Sequence, residues 1–286
     1  MGPLEFINDR AIFFGSVLTY HVWKETVGQD HWKIILSRFE DFHLITVGTL
    51  TMGLLVYIIV SALFAVVDLV MAPKGVIPGE RLQPKKSHTW EQYKKAIPLV
   101  LFNFFVMALP AVLTVYYFLH PASPRNAPSP SGMYPSLPST LVLLRDILFS
   151  MVLREMIFYY LHRLFHHPFL YATFHKKHHE FTAPIAVSAL YANPIDFVVT
   201  NAFPLLVGPL LLNSHPVTLW LFFSEAILDT VATHSGYICP GFPNADMHDF
   251  HHETFNSMFG LLGLADYIHG TDDKFKARSA KPKKIN

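Results

Sequence analysis

The chain has 286 residues, of which 51% are hydrophobic and only 15% charged, and its formal net charge is +1. This composition is too apolar for an ordinary soluble domain, and the near-neutral charge lacks the basic surface that nucleic-acid binding requires. The single cysteine, Cys239, excludes an internal disulfide and a multi-cysteine zinc site. We therefore expect a membrane protein without a nucleic-acid partner.

The N-terminal part of the sequence contains two apolar segments that are long enough to cross a bilayer. Residues 11–20 are apolar but too short to span, so they predict an interfacial or packed helix. The segments 44–72 and 97–119 each exceed the roughly 20 residues that a spanning helix needs. Both are predicted to be transmembrane helices.

A third apolar segment, residues 141–161, is interrupted by Arg145, Arg154 and Glu155. Charges inside a span are costly unless they pair or face water. Either this helix faces the protein interior and its charges support a site, or Arg154 and Glu155 lie at the membrane surface. The sequence leaves both alternatives open.

Two shorter apolar segments, 197–212 and 217–232, follow the third span and are separated by a polar break that contains a proline. Such a break predicts a helical hairpin. Because both segments are short for full spans, the hairpin is expected to dip into the bilayer and return.

The charge of the loops predicts the orientation in the membrane. The loop between the second and third spans has a single basic residue, Arg125. The loop between the first and second spans has six, namely Lys74, Arg81, Lys85, Lys86, Lys94 and Lys95. By the positive-inside rule the six-charge loop is cytosolic, which also places the later histidine-rich region and the C-terminus in the cytosol.

The sequence thus predicts an all-α integral membrane fold with three to four transmembrane helices, a membrane-embedded helical hairpin and a cytosolic histidine-rich helical cap. We divide it into N-terminal membrane spans and loops (1–135), a histidine-rich domain (136–275) and a basic cytosolic tail (276–286). The final Lys283-Lys284-Ile285-Asn286 resembles a dilysine retrieval signal of endoplasmic reticulum membrane proteins, with an ordinary basic tail as the alternative.

Eleven of the 17 histidines lie between His162 and His252. Most belong to the clusters His162-Arg-Leu-Phe-His166-His167, His175-Lys-Lys-His178-His179 and His248-Asp-Phe-His251-His252. Helical residues three and four apart share a face, so each H-x-x-H-H motif is expected to present three imidazoles to one side. The clusters supply more nitrogen ligands than one tetrahedral zinc ion accepts, which predicts two metal ions. Imidazole suits several transition metals, so the ligand type does not choose between them.

Two histidines need separate treatment. His234 stands alone, but the hairpin returns it to the side of the clusters, so we include it. His166 and His167 are alternative partners for His162, and helical spacing favours His166. The predicted metal ligands are His162, His166, His175, His178, His179, His234, His248, His251 and His252. The remaining histidines are interpreted as core or surface residues: His21, His31, His43, His88, His120, His215 and His269.

Carboxylates that hydrogen-bond ligating histidines would orient them. The candidates for this role are Glu180, Asp196, Asp229, Asp246, Asp249 and Glu253. An apolar substrate is expected to enter sideways from the bilayer, between the third span and the hairpin. The residues considered for its lining are Phe158, Tyr159, Tyr191 and Phe222.

The histidine motifs and their order after a membrane helix resemble the fatty acid hydroxylase superfamily. This superfamily includes C-4 methylsterol oxidases, C-5 sterol desaturases and fatty acid hydroxylases. The stretches HRLFHHPFLYATFHKKHHEFTAPIAVSALYANPIDF, THSGY and HDFHHETFN resemble C-4 methylsterol oxidases and the related fatty acid hydroxylase domain proteins in particular. The resemblance covers roughly residues 140–275.

This resemblance implies an endoplasmic reticulum enzyme with two iron ions that oxidises a lipid C–H bond with molecular oxygen, as in sterol biosynthesis. It also implies that electrons come from NAD(P)H through cytochrome b5 and its reductase. The sequence has no G-x-G-x-x-G fingerprint or cytochrome-like haem context, so the reductant must come from a partner. Lys176 and Lys177 are candidates for docking an acidic donor.

The substrate, the outcome of the reaction and the class of function each have alternatives at this stage. The substrate is a sterol, a fatty acyl lipid or sphingolipid, or a specialised metabolite, and the outcome is hydroxylation, stepwise oxidation or desaturation. A relative without turnover would be a metal-binding regulatory membrane protein. A zinc hydrolase would need a His-Glu-x-x-His motif, which the sequence lacks.

Overall fold

The computed structural model describes residues 10–120 and 132–280, so Arg125 and the dilysine-like terminus lie outside the described residues. The described part is almost entirely helical. Its main helices are α1 (Ala11–Trp23), α2 (Gln29–Leu36), α3 (Asp41–Lys74), α4 (Trp90–Leu119), α5 (Thr140–Phe165), α6 (Pro194–Leu212), α7 (Pro216–Thr233), α8 (Asp246–Thr254), α9 (Leu264–His269) and α10 (Asp273–Ser279). Two short strands, β1 (Glu80–Arg81) and β2 (Tyr237–Ile238), pair in antiparallel fashion.

Three helices, α3, α4 and α6, are long and apolar enough to cross a membrane, which confirms the all-α integral membrane fold. The first two predicted spans correspond to α3 and α4. Helix α4 begins at Trp90, well before the predicted start at residue 97. The reason is a capping box in which the Gln92 side chain accepts from the Thr89 N–H (2.8 Å).

The third predicted span forms the 26-residue helix α5, about 39 Å long at 1.5 Å per residue. Because of its charged residues, α5 is not among the three helices that are apolar enough to cross a membrane. Two of these charged residues, Asp146 and Glu155, are buried in the protein interior. Arg145 is largely exposed and bonds Asp146. Many other exposed residues of the helix are apolar, among them Leu141, Leu148, Phe149, Val152 and Leu164, and Arg163 is exposed near its C-terminal end. This arrangement favours the first alternative for Glu155, a helix whose acidic groups face the protein interior.

The predicted hairpin is formed by α6 and α7, but its first arm is longer than predicted. Asn193 caps the Ile195 N–H (2.9 Å), so α6 begins at Pro194 and reaches 19 residues, enough to cross a membrane. The helix ends at Asn213, which adopts a left-handed conformation (φ 46°). The two arms pack on different neighbours, α6 against α5 and α7 against α3. Both arms of the hairpin are therefore helices packed within the bundle.

The connection between α3 and α4 is fastened to the histidine-rich end of the bundle. Through β1, Arg81 pairs with Tyr237 of β2, and the Gln83 side chain donates to the Thr182 carbonyl (2.8 Å). Buried Asp68 accepts hydrogen bonds from His88 (2.6 Å), Tyr93 (2.6 Å) and Tyr237 (2.8 Å). His88, expected to be a core or surface residue, is thus a buried member of this network.

One hydrophobic core joins the N-terminal helices to the later ones, for example through Tyr57 and Phe64 of α3 with Leu228 and Val231 of α7. A second core, around Trp32 and other residues, lies toward the opposite end of the bundle. The division of the sequence at residues 135 and 136 stays a prediction.

Candidate metal centre

All nine predicted histidine ligands lie in two groups. The first histidine group consists of His162, His166, His175, His179 and His251, and the second of His178, His234, His248 and His252. Within each group, one nitrogen from every ring lies within 4.8 Å of the others, an arrangement that could hold a metal ion. Eight of the nine side chains are buried, and His166 is partly buried.

Both H-x-x-H-H motifs are divided between the groups. The motif at 175–179 is not on a regular α-helix: it follows a π-helical turn, Tyr171–His175, and enters a 3-10 turn, His178–Glu180. His178 joins the second group, and His175 and His179 join the first. The three imidazoles of a motif are thus shared between the two groups.

The motif on α8 divides in the complementary sense. His248 and His252 are four residues apart and join the second group, whereas His251 joins the first. Adjacent histidines thus serve different groups in both motifs. Each motif ties the two groups together, so neither group can move independently of the other.

Hydrogen bonds fix the protonation of six of these rings. In each ring Nδ1 lies near an oxygen that can only accept. The pairs are His162 with Phe259 O (2.7 Å), His175 with Asp196 Oδ2 (2.8 Å), His178 with Tyr191 O (3.2 Å), His234 with Thr230 O (2.7 Å), His251 with Ser257 O (2.8 Å) and His252 with Phe181 O (3.0 Å). Nδ1 must carry the proton, so Nε2 is left with a free lone pair, as in metal-bound histidine.

The spacing of these Nε2 atoms fits metal coordination. The separation is 3.0 Å between His162 and His175 in the first group and 3.4 Å between His234 and His178 in the second. Unprotonated nitrogens repel one another at such distances unless a cation lies between them. Two nitrogens at about 2.1 Å from one metal and at right angles lie about 3.0 Å apart. The donor set therefore fits one metal ion in each group.

Burial also favours the neutral rings that metal binding requires. Desolvation lowers the pKa of His178 to about 4 and the pKa of His234 to about 3. Both imidazoles are then uncharged at neutral pH. A neutral ring can donate its lone pair to a metal without first losing a proton.

The structure favours His166 over His167 as the partner of His162. Nε2 of His166 lies 3.1 Å from Nε2 of His179 within the first group. His167 is exposed, and its Nδ1 accepts from the N–H of Phe169 at the start of a short helix. His167 therefore has a local capping role away from the cluster.

Of the six candidate carboxylates, Asp196 is the one that bonds a predicted ligand within the described residues. It accepts from Nδ1 of His175. Four others bond elsewhere: Glu180 to Tyr191, Asp229 to Arg10, Asp246 to Arg278 and Asp249 to Gln83. Glu253 is exposed and makes no hydrogen bond to the nine histidines.

Two buried carboxylates act on the ligands through the segment 257–266. Glu155 accepts from the N–H groups of Leu261 (2.7 Å) and Leu262 (2.8 Å) and from a third at 3.1 Å. Asp266 accepts from the N–H of Phe259 (2.8 Å), whose carbonyl holds His162. The charge inside α5 was a signal for Glu155, but no sequence pattern singled out Asp266.

One cavity adjoins the histidines, and a second, apolar pocket shares part of its lining with the first. The metal-side cavity is lined by Phe158, His162, His175, His178, Thr200, Asn201, Thr230, Thr233, His234, His248 and Leu261. The apolar pocket lies mainly among α3, α4, α6 and α7, with Leu50, Tyr57, Phe104, Val112, Leu206 and Phe223 among its lining residues. Asn201 and Thr230 line both cavities.

The expected lining is only partly correct. Phe158 lines the metal-side cavity, but Tyr159, Tyr191 and Phe222 line neither cavity. Tyr159 and Phe222 are instead packed in the core, and the Tyr191 hydroxyl bonds Glu180. The apolar pocket also differs from the predicted position between the third span and the hairpin, because α3 and α4 supply much of its wall and α5 contributes Arg154.

Comparisons with known proteins agree with this site. Residues 147–271, which contain all nine histidines, match the family model described as fatty acid hydroxylase. No solved structure matches the chain.

Curated relatives match over nearly the whole chain. Fatty acid hydroxylase domain-containing protein 2 of Macaca fascicularis is 37% identical over 283 residues, covering 96% of this chain and 83% of the relative. The human protein of the same name is 36% identical, covering 94% and 81%. Methylsterol monooxygenase 1 of Gallus gallus is 30% identical, covering 88% and 85%. The chain therefore belongs to the fatty acid hydroxylase family.

Proposed function

We propose that this chain is a membrane di-iron monooxygenase that uses molecular oxygen to hydroxylate or oxidise a C–H bond of a sterol, in the manner of a C-4 methylsterol oxidase. Family membership supports an oxidoreductase, and several relatives carry the name methylsterol monooxygenase. The observation that carries the proposal is the pair of histidine groups, each with converging Nε2 atoms beside an apolar pocket.

The proposed ligands divide the work between two ions. Five imidazoles of the first group and four of the second would each hold one iron. Bound iron supplies the capacity to activate oxygen for attack on an unactivated C–H bond. Buried rings and the carbonyls that orient them keep the ligand geometry fixed before substrate arrives.

The chain itself would place the substrate. The apolar pocket would take up the lipid body, and its junction with the metal-side cavity at Asn201 and Thr230 would admit the reacting carbon. The burial of the histidines would exclude bulk water from the reacting region.

Electrons would come from a separate protein, as with NAD(P)H and cytochrome b5 with its reductase. We further propose an endoplasmic reticulum membrane location, with the histidine end and the C-terminus in the cytosol. The exposed basic residues near the histidine end, including Lys94, Lys95, Lys176 and Lys177, support a docking surface for an acidic electron donor.

The proposal predicts that replacing His178 by Ala abolishes turnover and lowers metal content. His178 belongs to the second group, whereas the neighbouring His179 belongs to the first. The substitution His178→Ala therefore removes a proposed metal ligand from the second group alone. The test compares sterol and lipid profiles of cells that lack the protein and are complemented with wild type or with His178→Ala. Accumulated 4-methylated sterols in the variant would support the proposal.

His167→Ala is the matched control, because His167 is an exposed histidine of the same region outside both groups. It should restore a wild-type profile. Full restoration by His178→Ala would contradict the proposed ligand set. Unchanged sterols together with a missing hydroxylated fatty acyl lipid would reject the sterol as substrate.

A further inference from the structure

The junction between the two cavities is polar, whereas most of the apolar pocket is hydrophobic. Asn201 and Thr230 line both cavities, and Arg154 lines the pocket beside Thr230. Tyr57 also lines the pocket, but its hydroxyl donates to the Val187 carbonyl (2.8 Å). The uncommitted polar groups nearest the histidines are therefore those of the junction.

Arg154 brings hydrogen-bond donors to the junction. Its side chain is only 12% exposed, and its Nη2 donates to Thr230 Oγ1 (2.9 Å). Its Nη1 lies 3.8 Å from Asp229, too long for a hydrogen bond. A guanidinium has five N–H groups, so donors remain for a ligand. Thr230 adds none, because its hydroxyl proton goes to the Ala226 carbonyl (2.8 Å).

Asn201 brings a hydrogen-bond acceptor. The Thr200 hydroxyl directs its proton to Asp196, whose carbonyl and Oδ1 both lie at 2.9 Å. Thr200 Oγ1 must therefore accept from Nδ2 of Asn201 (3.2 Å), which fixes the orientation of the amide. Oδ1 of Asn201 has no hydrogen-bond partner among the described residues.

A hydroxyl group matches this pair of side chains. A hydroxyl can accept from a guanidinium and donate to an amide oxygen, which are the two roles that Arg154 and Asn201 offer in the lining of the apolar pocket. A carboxylate cannot donate to Asn201, and Asp229 beside Arg154 already provides a negative charge. The junction is therefore complementary to a hydroxyl rather than to a fatty acid carboxylate.

Both sides of the junction connect to the histidine groups. Asn201 is linked through Thr200 and Asp196 to His175 of the first group. The carbonyl of Thr230 accepts from His234 of the second group (2.7 Å). A ligand held at the junction is thus connected to one histidine of each group through a short chain of hydrogen-bonded residues.

We propose that Arg154 and Asn201 bind a hydroxyl of the lipid substrate and thereby place the carbon beside that hydroxyl at the metal centre. This inference rests on the proposed function and assigns the recognition of the substrate's hydroxyl to these two residues. Arg154 and Asn201 act as the residues that determine this specificity.

The test is equilibrium binding to the purified full-length protein without a reductant, so that no turnover occurs. The probes are a tritiated 4-methylsterol with a free 3-hydroxyl and its 3-deoxy analogue. Wild-type protein should bind the 3-deoxy sterol about tenfold more weakly. The variant Asn201→Leu, which preserves side-chain size, should weaken only the hydroxylated sterol and bring the difference below about threefold.

Ser224→Ala is the matched control, since Ser224 lines a separate apolar pocket and its buried hydroxyl oxygen has no partner among the described residues. This variant should keep the wild-type preference. Arg154→Lys is the second test variant, for the case that Asn201→Leu does not fold. It retains the positive charge but loses the planar guanidinium, so its preference for the hydroxylated sterol over the 3-deoxy sterol should be reduced.

Three results would overturn the inference: equal binding of the two sterols by wild type, an unchanged preference in a folded Asn201→Leu or Arg154→Lys variant, or tighter binding of palmitic acid than of the hydroxylated sterol. Failure of the proposed function looks different. It would leave the preference for the hydroxylated sterol intact, with no oxygen-dependent product when a reductant is supplied.

Discussion

Asp196 is the carboxylate that ties a predicted ligand to the helical bundle. It accepts from Nδ1 of His175 (2.8 Å) and from the Thr200 hydroxyl, and it is almost fully buried. Such carboxylate–histidine pairs orient the ring and increase its basicity toward a metal.

Asp196→Ala should lower metal affinity or activity by about 10- to 100-fold, because His175 loses the partner that fixes its ring. Metal titration and turnover of the purified variant measure the effect. Asp30→Ala is the control, since the Asp30 side chain is 81% exposed. An Asp196→Ala variant with wild-type metal affinity would show that His175 does not need this support.

At the residue scale, the sequence predicted the nine histidines that form the two groups but not how they divide. Spacing alone indicated that His175, His178 and His179 share a face. Both motifs divide in the same way, with the two histidines four residues apart in one group and the third in the other, although one motif lies on the regular helix α8. The division therefore depends on which histidines from distant segments lie opposite each ring, which a local pattern does not contain.

Among the elements, the segment 257–266 holds two of the predicted histidine ligands in position. Its carbonyls hold His162 and His251, and its backbone N–H groups are bound by Glu155 and Asp266. Gly260 sits between the two carboxylates. A Cβ at this position would lie 2.5 Å from Glu155 Oε1 and 2.8 Å from Asp266 Oδ2.

Gly260→Ala should therefore destabilise the protein by about 1–3 kcal/mol, since the segment must move to accept the extra methyl group. A lower thermal midpoint and a lower metal content should appear together. Gly15→Ala is the matched control, because a Cβ at Gly15 meets nothing within 4 Å. Equal midpoints for the two variants would contradict this role of the segment.

The elements themselves were predictable to different degrees. Hydrophobic length identified α3 and α4 because both are apolar over more than one bilayer thickness. Hydrophobic length predicted that α6 starts at residue 197, whereas the helix begins at Pro194. The capping residue Asn193 and the first helical turn lie outside the apolar segment. The pairing of β1 with β2 was not predictable, because two-residue strands leave no periodic pattern.

For the whole molecule, the positive-inside rule predicts that the histidine end lies in the cytosol. A C-terminal epitope should be accessible to antibody after selective permeabilisation of the plasma membrane alone. An epitope within residues 121–131 should require permeabilisation of all membranes. Reversed accessibility would place the metal centre on the lumenal side and exclude a cytosolic electron donor.

The substrate path is the part of the molecule that the sequence predicted least well. Apolar segments reveal which helices enter the membrane, but the choice of neighbours is made by side-chain packing between distant segments. The apolar pocket forms because α3 packs along α7 while α6 packs along α5. Arg154 and Asn201 line the same pocket only through that arrangement.

The most direct measurement of the central claim is incorporation of ¹⁸O from ¹⁸O₂ into a 4-methylsterol by the purified protein. The protein would be loaded with ferrous iron, placed in lipid vesicles and supplied with NADH, cytochrome b5 and its reductase. The account predicts two irons per chain and an ¹⁸O-labelled sterol product that His178→Ala does not form. Two bound metals with no oxygen-dependent product from sterol or fatty acyl lipid would contradict it and favour a regulatory metal-binding protein.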